Sequence, residues 1–166
     1  YIYYSEDESY SLNYYSAEED WINVSLTDGK LLLKGNEKKW NKFFNFHYKD
    51  QEHKKVIINL PKSFNGDIKA DSTAGVLEFN EFTISNLNVT ITSGRLKIKN
   101  SIFNDINAEI TSGEVNLNNI NCNRLIANVT SGKILLDKVI TNNATLNITS
   151  GKIIVLTSEI NSINVD

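Results

Sequence analysis

Apolar and polar residues alternate along most of this chain, and the alternation itself repeats. Gly75, Gly94, Gly113, Gly132 and Gly151 lie 19 residues apart, and each opens the same pattern. Two residues on come Leu77, Leu96, Val115, Ile134 and Ile153; four on come Phe79, Ile98, Leu117, Leu136 and Val155. Position 9 holds Ile84, Phe103, Cys122, Thr141 and Ile160, and position 12 holds Leu87, Ile106, Leu125, Ala144 and Ile163. Position 14 holds Val89, Ala108, Ala127, Leu146 and Val165, and position 16 holds Ile91, Ile110, Val129 and Ile148. Alternation with one apolar face marks a half-buried strand. Each repeat therefore predicts two short strands, at positions 1 to 5 and 12 to 16.

A repeat of this length is best read as one coil of a solenoid. Stacked coils lie about 4.8 Å apart, so like residues fall on like residues and the apolar columns merge into one core. A meander of hairpins is the rival, but 19 residues exceed what two five-residue strands and tight turns need. The expected fold is all-β: a single-stranded β-solenoid (β-helix), right-handed by the crossover rule for parallel strands. One more coil runs backwards with lower fidelity, Ile58, Leu60, Ile68, Ala70 and Ser72 taking positions 2, 4, 12, 14 and 16. Residues 56–166 are thus the regular solenoid. Residues 1–55 are expected to hold irregular β coils and a cap, all within one continuous domain. In that part Trp21 to Leu26 and Lys30 to Lys34, joined through Thr27-Asp28-Gly29, read as two strands around a turn. The same turn could be a degenerate Thr-Ser-Gly corner.

Composition narrows the function. With 40% hydrophobic and 22% charged residues the chain is an ordinary folded domain, and no stretch approaches the roughly 18–20 apolar residues that cross a bilayer. It contains no Met and opens without a signal-peptide pattern, which predicts that any anchor or targeting signal lies ahead of residue 1. A net charge of −3 argues against a nucleic-acid partner. One cysteine, Cys122, rules out an internal disulfide and a Cys-based zinc site.

The last four glycines are preceded by Thr92-Ser93, Thr111-Ser112, Thr130-Ser131 and Thr149-Ser150. A nucleophilic serine needs a base, and the histidines, His47 and His53, fall outside the repeats. The structural reading suffices. Gly75, Gly94, Gly113, Gly132 and Gly151 supply a positive φ at a corner, while the hydroxyls bond to turn backbone and to one another. A polar column at position 10, Ser85, Asn104, Asn123, Asn142 and Asn161, is expected to stack and to mark a left-handed second corner. Charges alternate in sign, Glu114 against Lys133, Glu78 against Lys97 and Asp105 against Arg124, as register-holding pairs and not an acid cluster. No cofactor and no metal is expected; His47 and His53 with Asp50 and Glu52 match no strong metal spacing.

Two features go beyond architecture. Lys38, Lys39, Trp40, Lys42, Phe43, Phe44 and Phe46 combine bulky aromatics with lysines, as in a membrane-surface or partner contact, or fold over the open end of the solenoid as a cap. Leu135 and Ile154, with Leu156 beside them, form an outward apolar ridge that predicts dimerisation, cover by the N-terminal segment, or a continuation of the chain.

The Thr-Ser-Gly coils from Thr92 to Gly151, the strand Ile57-Ile58-Asn59-Leu60-Pro61-Lys62 and the Trp21-to-Leu33 hairpin together resemble the bacterial adhesin-like, or toast-rack, β-strand-repeat family of unknown function. The resemblance covers almost the whole chain. It implies an extracytoplasmic domain, tethered to the membrane through a segment outside this sequence, in a Gram-positive-like bacterium. Some members take part in envelope-stress responses. The family has no agreed catalytic residues to carry over.

The expected function is therefore a non-catalytic structural or interaction domain of the cell envelope, with a protein or the membrane surface as partner and a homodimer through the C-terminal edge or ridge as a further option. A carbohydrate-binding or adhesive module is the alternative, and a degenerate polysaccharide-active β-helix enzyme the third. Aspartate at Ile110 or Ile148 should unfold the domain, because an unpaired charge would enter a core column. A cooperative thermal melt of either variant near the wild-type temperature would refute the column assignment.

Overall fold

The computed structural model describes residues 2–4, 9, 11–15, 22–27, 30–35 and 55–166. The chain divides into two compact units, Tyr1–Leu12 with Ile57–Asp166, and Asn13–Val56. The strands are β1 (Ile2–Tyr4), β2 (Ser11–Tyr15), β3 (Ile22–Thr27), β4 (Lys30–Gly35), β5 (Lys55–Leu60), β6 (Ile68–Asn80), β7 (Thr83–Leu156) and β8 (Glu159–Val165).

In the smaller unit β3 and β4 pair antiparallel, from Ile22 opposite Gly35 to Thr27 opposite Lys30. This is the hairpin that Asp28-Gly29 announces; the degenerate-corner alternative does not apply.

The larger unit is a β-solenoid of about five stacked turns. β6 pairs with β7 in parallel, Ile68 with Leu87 and Gly75 with Gly94, and β8 pairs with β7, Ala144 with Ile163. Every one of these partners is one repeat apart, which excludes the hairpin meander. Pairing does not stop at the corners: β7 is unbroken over 74 residues, because each coil is bonded to its neighbour along nearly its whole length. The two separate short strands expected per coil are thus parts of one continuous ribbon.

The columns read from the sequence form the core. Leu96, Val115 and Ile134 at position 2, Ile98, Leu117 and Leu136 at position 4, and Ala108, Ala127 and Leu146 at position 14 are all fully buried. Position 7 forms a further buried column, Phe82, Ser101, Ile120 and Val139, which the alternation within the two expected strands did not include. A coil therefore has three inward-facing runs, positions 2 and 4, 7 and 9, and 12 to 16. Ser101 in the position 7 column, and Ser158 at the same position of the last coil, are accommodated by a local exchange of bonds. Ser101 Oγ donates to Lys99 O at 2.6 Å and accepts from Phe82 N at 3.0 Å, and Ser158 does the same with Leu156 O at 2.7 Å and Val139 N at 3.0 Å.

The columns open to solvent at the last coil. Val155, Ile163 and Val165 are 40%, 47% and 55% exposed although their equivalents one coil earlier are buried. Ile148 is likewise only half-buried, beneath the final Asp166, whose carbonyl accepts from Ile148 N at 2.9 Å.

At the other end the regular stacking is interrupted. Ile58 was expected directly against Leu77; instead β1 lies between β5 and β6. Ile58 pairs with Ile2, Asn59 with Tyr3 and Leu60 with Tyr4, and Ile2 in turn pairs with Phe79. The backward extension of the repeat holds from Ile68 onwards, but its first strand is displaced by an inserted one. Phe64 packs against the core here, and the turn that carries it is closed by Phe64 N donating to Pro61 O at 2.9 Å.

The burial difference refines the aspartate test. Ile110, 2% exposed, sits in mid-stack, so Ile110→Asp should abolish cooperative folding, a loss on the order of 4–5 kcal/mol or more. Ile148→Asp, next to the open last coil, should give a visible but lower melt. Equal melts would mean that burial does not grade along the stack.

Candidate functional site

The repeated glycines pack closely from coil to coil. Their φ angles run from 114° to 154°, where L side chains are strained, and at the last four there is no room for a side chain. A Cβ on Gly94 would lie 2.0 Å from Gly75 O, on Gly113 1.7 Å from Gly94 O, on Gly132 1.8 Å from Gly113 O, and on Gly151 1.9 Å from Gly132 O. Gly75 has nothing within 4 Å of such an atom. The column is thus required by backbone contact between coils as well as by the turn.

The flanking Thr92, Ser93, Thr111, Ser112, Thr130, Ser131, Thr149 and Ser150 are exposed. Gly94, Gly113, Gly132 and Gly151 leave no space for a side chain at this corner. A shallow groove runs along this corner, with Ser93, Ser112, Arg95, Glu114 and Lys133 around the backbone of Gly94, Gly113 and Gly132. Glu114 and Lys133 pair across it at 3.6 Å.

The second corner differs from expectation. Left-handed residues occur at position 6, Glu81, Asn100, Asn119, Lys138 and Thr157, with φ between 44° and 62°. Position 10 carries none of them. One such residue is enough to turn the ribbon out of the first inward run and into the second, and asparagine tolerates this best. The two asparagines at position 6 were the available signal. The stacking expected of asparagine is nevertheless present in several columns. Asn142 donates to Asn123 at 3.0 Å and Asn161 to Asn142 at 2.9 Å at position 10; Asn119 donates to Asn100 at 2.9 Å at position 6; Asn147 donates to Asn128 at 2.9 Å at position 15. Arg124 donates to Asp105 in the expected ion pair, while Glu78 and Lys97 stand opposite in register.

Each of these contacts joins one coil to the next. Asp105 Oδ1 is buried without a hydrogen-bond partner. Among the described residues, no group of His, Cys, Asp and Glu is arranged to hold a metal. The expected ridge is only partly exposed, Leu135 and Ile154 being half-buried and Leu156 48% exposed. Lys38, Lys39, Trp40, Lys42, Phe43, Phe44 and Phe46, with His47 and His53, lie outside the described residues.

A sequence model of the family described as Toastrack DUF4097 matches residues 1–166. The chain belongs to that family. No curated protein and no solved structure matches it. The Toastrack family is a repeat family of unknown function, and the stacked coils of this chain are consistent with a toast-rack solenoid.

Within the Toastrack core the thiol of Cys122 is buried. Burial raises its pKa above the ordinary 9.0; a hydrogen bond with Thr141 works against the rise, and the charge of Asp105 adds to it. The unfolded thiol ionises first as pH rises, so Cys122 leaves stability intact below about pH 9 and lowers it above. Cys122→Ala should flatten that alkaline decline, and native Cys122 should resist alkylation that proceeds readily in urea.

Two alanine variants separate the glycine roles. Gly113→Ala should cost at least about 3 kcal/mol, because backbone must move, whereas Gly75→Ala should cost about 1–2 kcal/mol from φ strain alone. Urea midpoints at unchanged slope measure both. Equal losses would mean that conformation, and not coil contact, selects glycine.

Proposed function

We propose that this Toastrack chain is a non-catalytic structural or interaction domain of the bacterial cell envelope, the extracytoplasmic part of a membrane-tethered protein that senses or scaffolds through surface contacts. The observation that carries this reading is the engagement of outward polar side chains. Asn119, Asn142, Asn147, Asn161, Arg124 and Lys133 each bond to the residue one coil away. Groups tied into the stack in this way favour a rigid spacer over a reactive cleft. Among the described residues no helix is long and apolar enough to cross a membrane, so the tether would belong to another segment.

The contact residues of this reading are Trp40, Phe43 and Phe44 with their neighbouring lysines. Wild-type protein should co-sediment with anionic liposomes, and the Trp40, Phe43 and Phe44 triple-serine variant should stay in the supernatant at unchanged melting temperature. Absence of wild-type binding to either anionic or neutral vesicles would remove the membrane contact and leave a protein partner.

One observation favours the carbohydrate-binding alternative: the exposed hydroxyls of Ser93 and Ser112 lie with Arg95 and Lys133 along the glycine groove. That reading requires binding to insoluble cell-wall polysaccharide that falls when Arg95 and Lys133 are replaced by alanine.

A further inference from the structure

From Ile68 to Val165 each coil pairs with its sequence neighbour. The first junction does not. There β1, which precedes β5 by some fifty residues of chain, lies between β5 and β6 and is parallel to both. Among the described residues β1 shares one register position with β6, Ile2 with Phe79, where β6 and β7 share twelve. Short strands held by few pairs are the first to open.

The inserted strand meets a simple requirement. Leu60 is 7% exposed and Ile58 packs against the core, so the positions registered with them call for apolar or aromatic residues. Ile2 and Tyr4 stand at those positions. The pairing itself is backbone to backbone, and no part of it depends on which chain supplies the strand.

We propose that the gap between β5 and β6 is a strand-acceptor site that takes Ile2–Tyr4 from a second copy of this chain in place of its own, producing a strand-swapped dimer. The occupant is a second copy because its sequence is the one the structure shows fitting there. The swapped and unswapped forms share the same junction contacts, so protein concentration sets their ratio. This site is separate from the glycine groove.

The test uses full-length chains with Cys122→Ala, so that only introduced thiols react. One chain carries Tyr3→Cys and the other Asn59→Cys, whose positions are register partners on adjacent strands. Strand neighbours about 4.8 Å apart lie within disulfide reach. After mixing at high concentration and mild oxidation, a mixed disulfide dimer should form at several times the yield of a Tyr3→Cys and Asn104→Cys mixture, in which the second thiol is exposed away from the junction. The yield should rise with concentration, and a chain carrying both Tyr3→Cys and Asn59→Cys should bridge within itself when dilute. A mixed dimer no more abundant than in the Asn104→Cys control overturns the proposal, as does failure of the double variant to bridge at all. Sedimentation of the unaltered chain gives a second readout. Dimers that accumulate with concentration and are suppressed by Tyr3→Pro support the site, and a monomer at every concentration overturns it.

Discussion

The larger unit depends on one contact, the backbone of each corner glycine lying against the carbonyl of the glycine one coil before. Coils can be hydrogen-bonded along their full length only at strand spacing, and at that spacing the corner has no room for a Cβ. Glycine at this column lets the ladder run through the corner without a break, which is why β7 continues from Thr83 to Leu156. Once that register is set, every other position is set with it. Leu96 must meet Leu77, and Asn142 must meet Asn123.

The same register divides the side chains into two kinds of column. Inward columns merge into a core in which Leu96, Val115, Leu117, Leu125, Ile134 and Leu136 are fully buried, and burial of this kind is the main source of stability. Outward columns bring identical polar residues together, and asparagine, which both donates and accepts, links indefinitely along such a stack. Exposed ion pairs such as Arg124 with Asp105 add little by themselves. A solenoid made this way repeats the same side chains from coil to coil along its sides. The repeat fails at the inserted β1 and at the open last coil.

Much of this was legible beforehand because it is local and periodic. Residues two apart on a strand face the same way, so the columns at positions 2, 4, 12, 14 and 16 follow from counting. The column at position 7 was harder to see, because Ser101 and Ser158 interrupt it and are held there by bonds to Lys99, Phe82, Leu156 and Val139. The left-handed corner was placed at the richer asparagine column, position 10, and belongs at position 6. Composition identifies residues able to adopt that conformation, but the path of the ribbon decides which of them must.

The sequence by itself determined the repeat length, the parallel in-register stack, the core columns and the Toastrack family, since each is a matter of period and residue type. It also determined the β3–β4 hairpin, a two-residue turn between facing strands. Only the tertiary structure decided that Ile2–Tyr4 lies between β5 and β6, that pairing continues around the corners, and that Val155, Ile163 and Val165 are left open. These are long-range facts. A three-residue strand carries no periodic signal, and which edge it joins is set by backbone groups that every residue except proline shares.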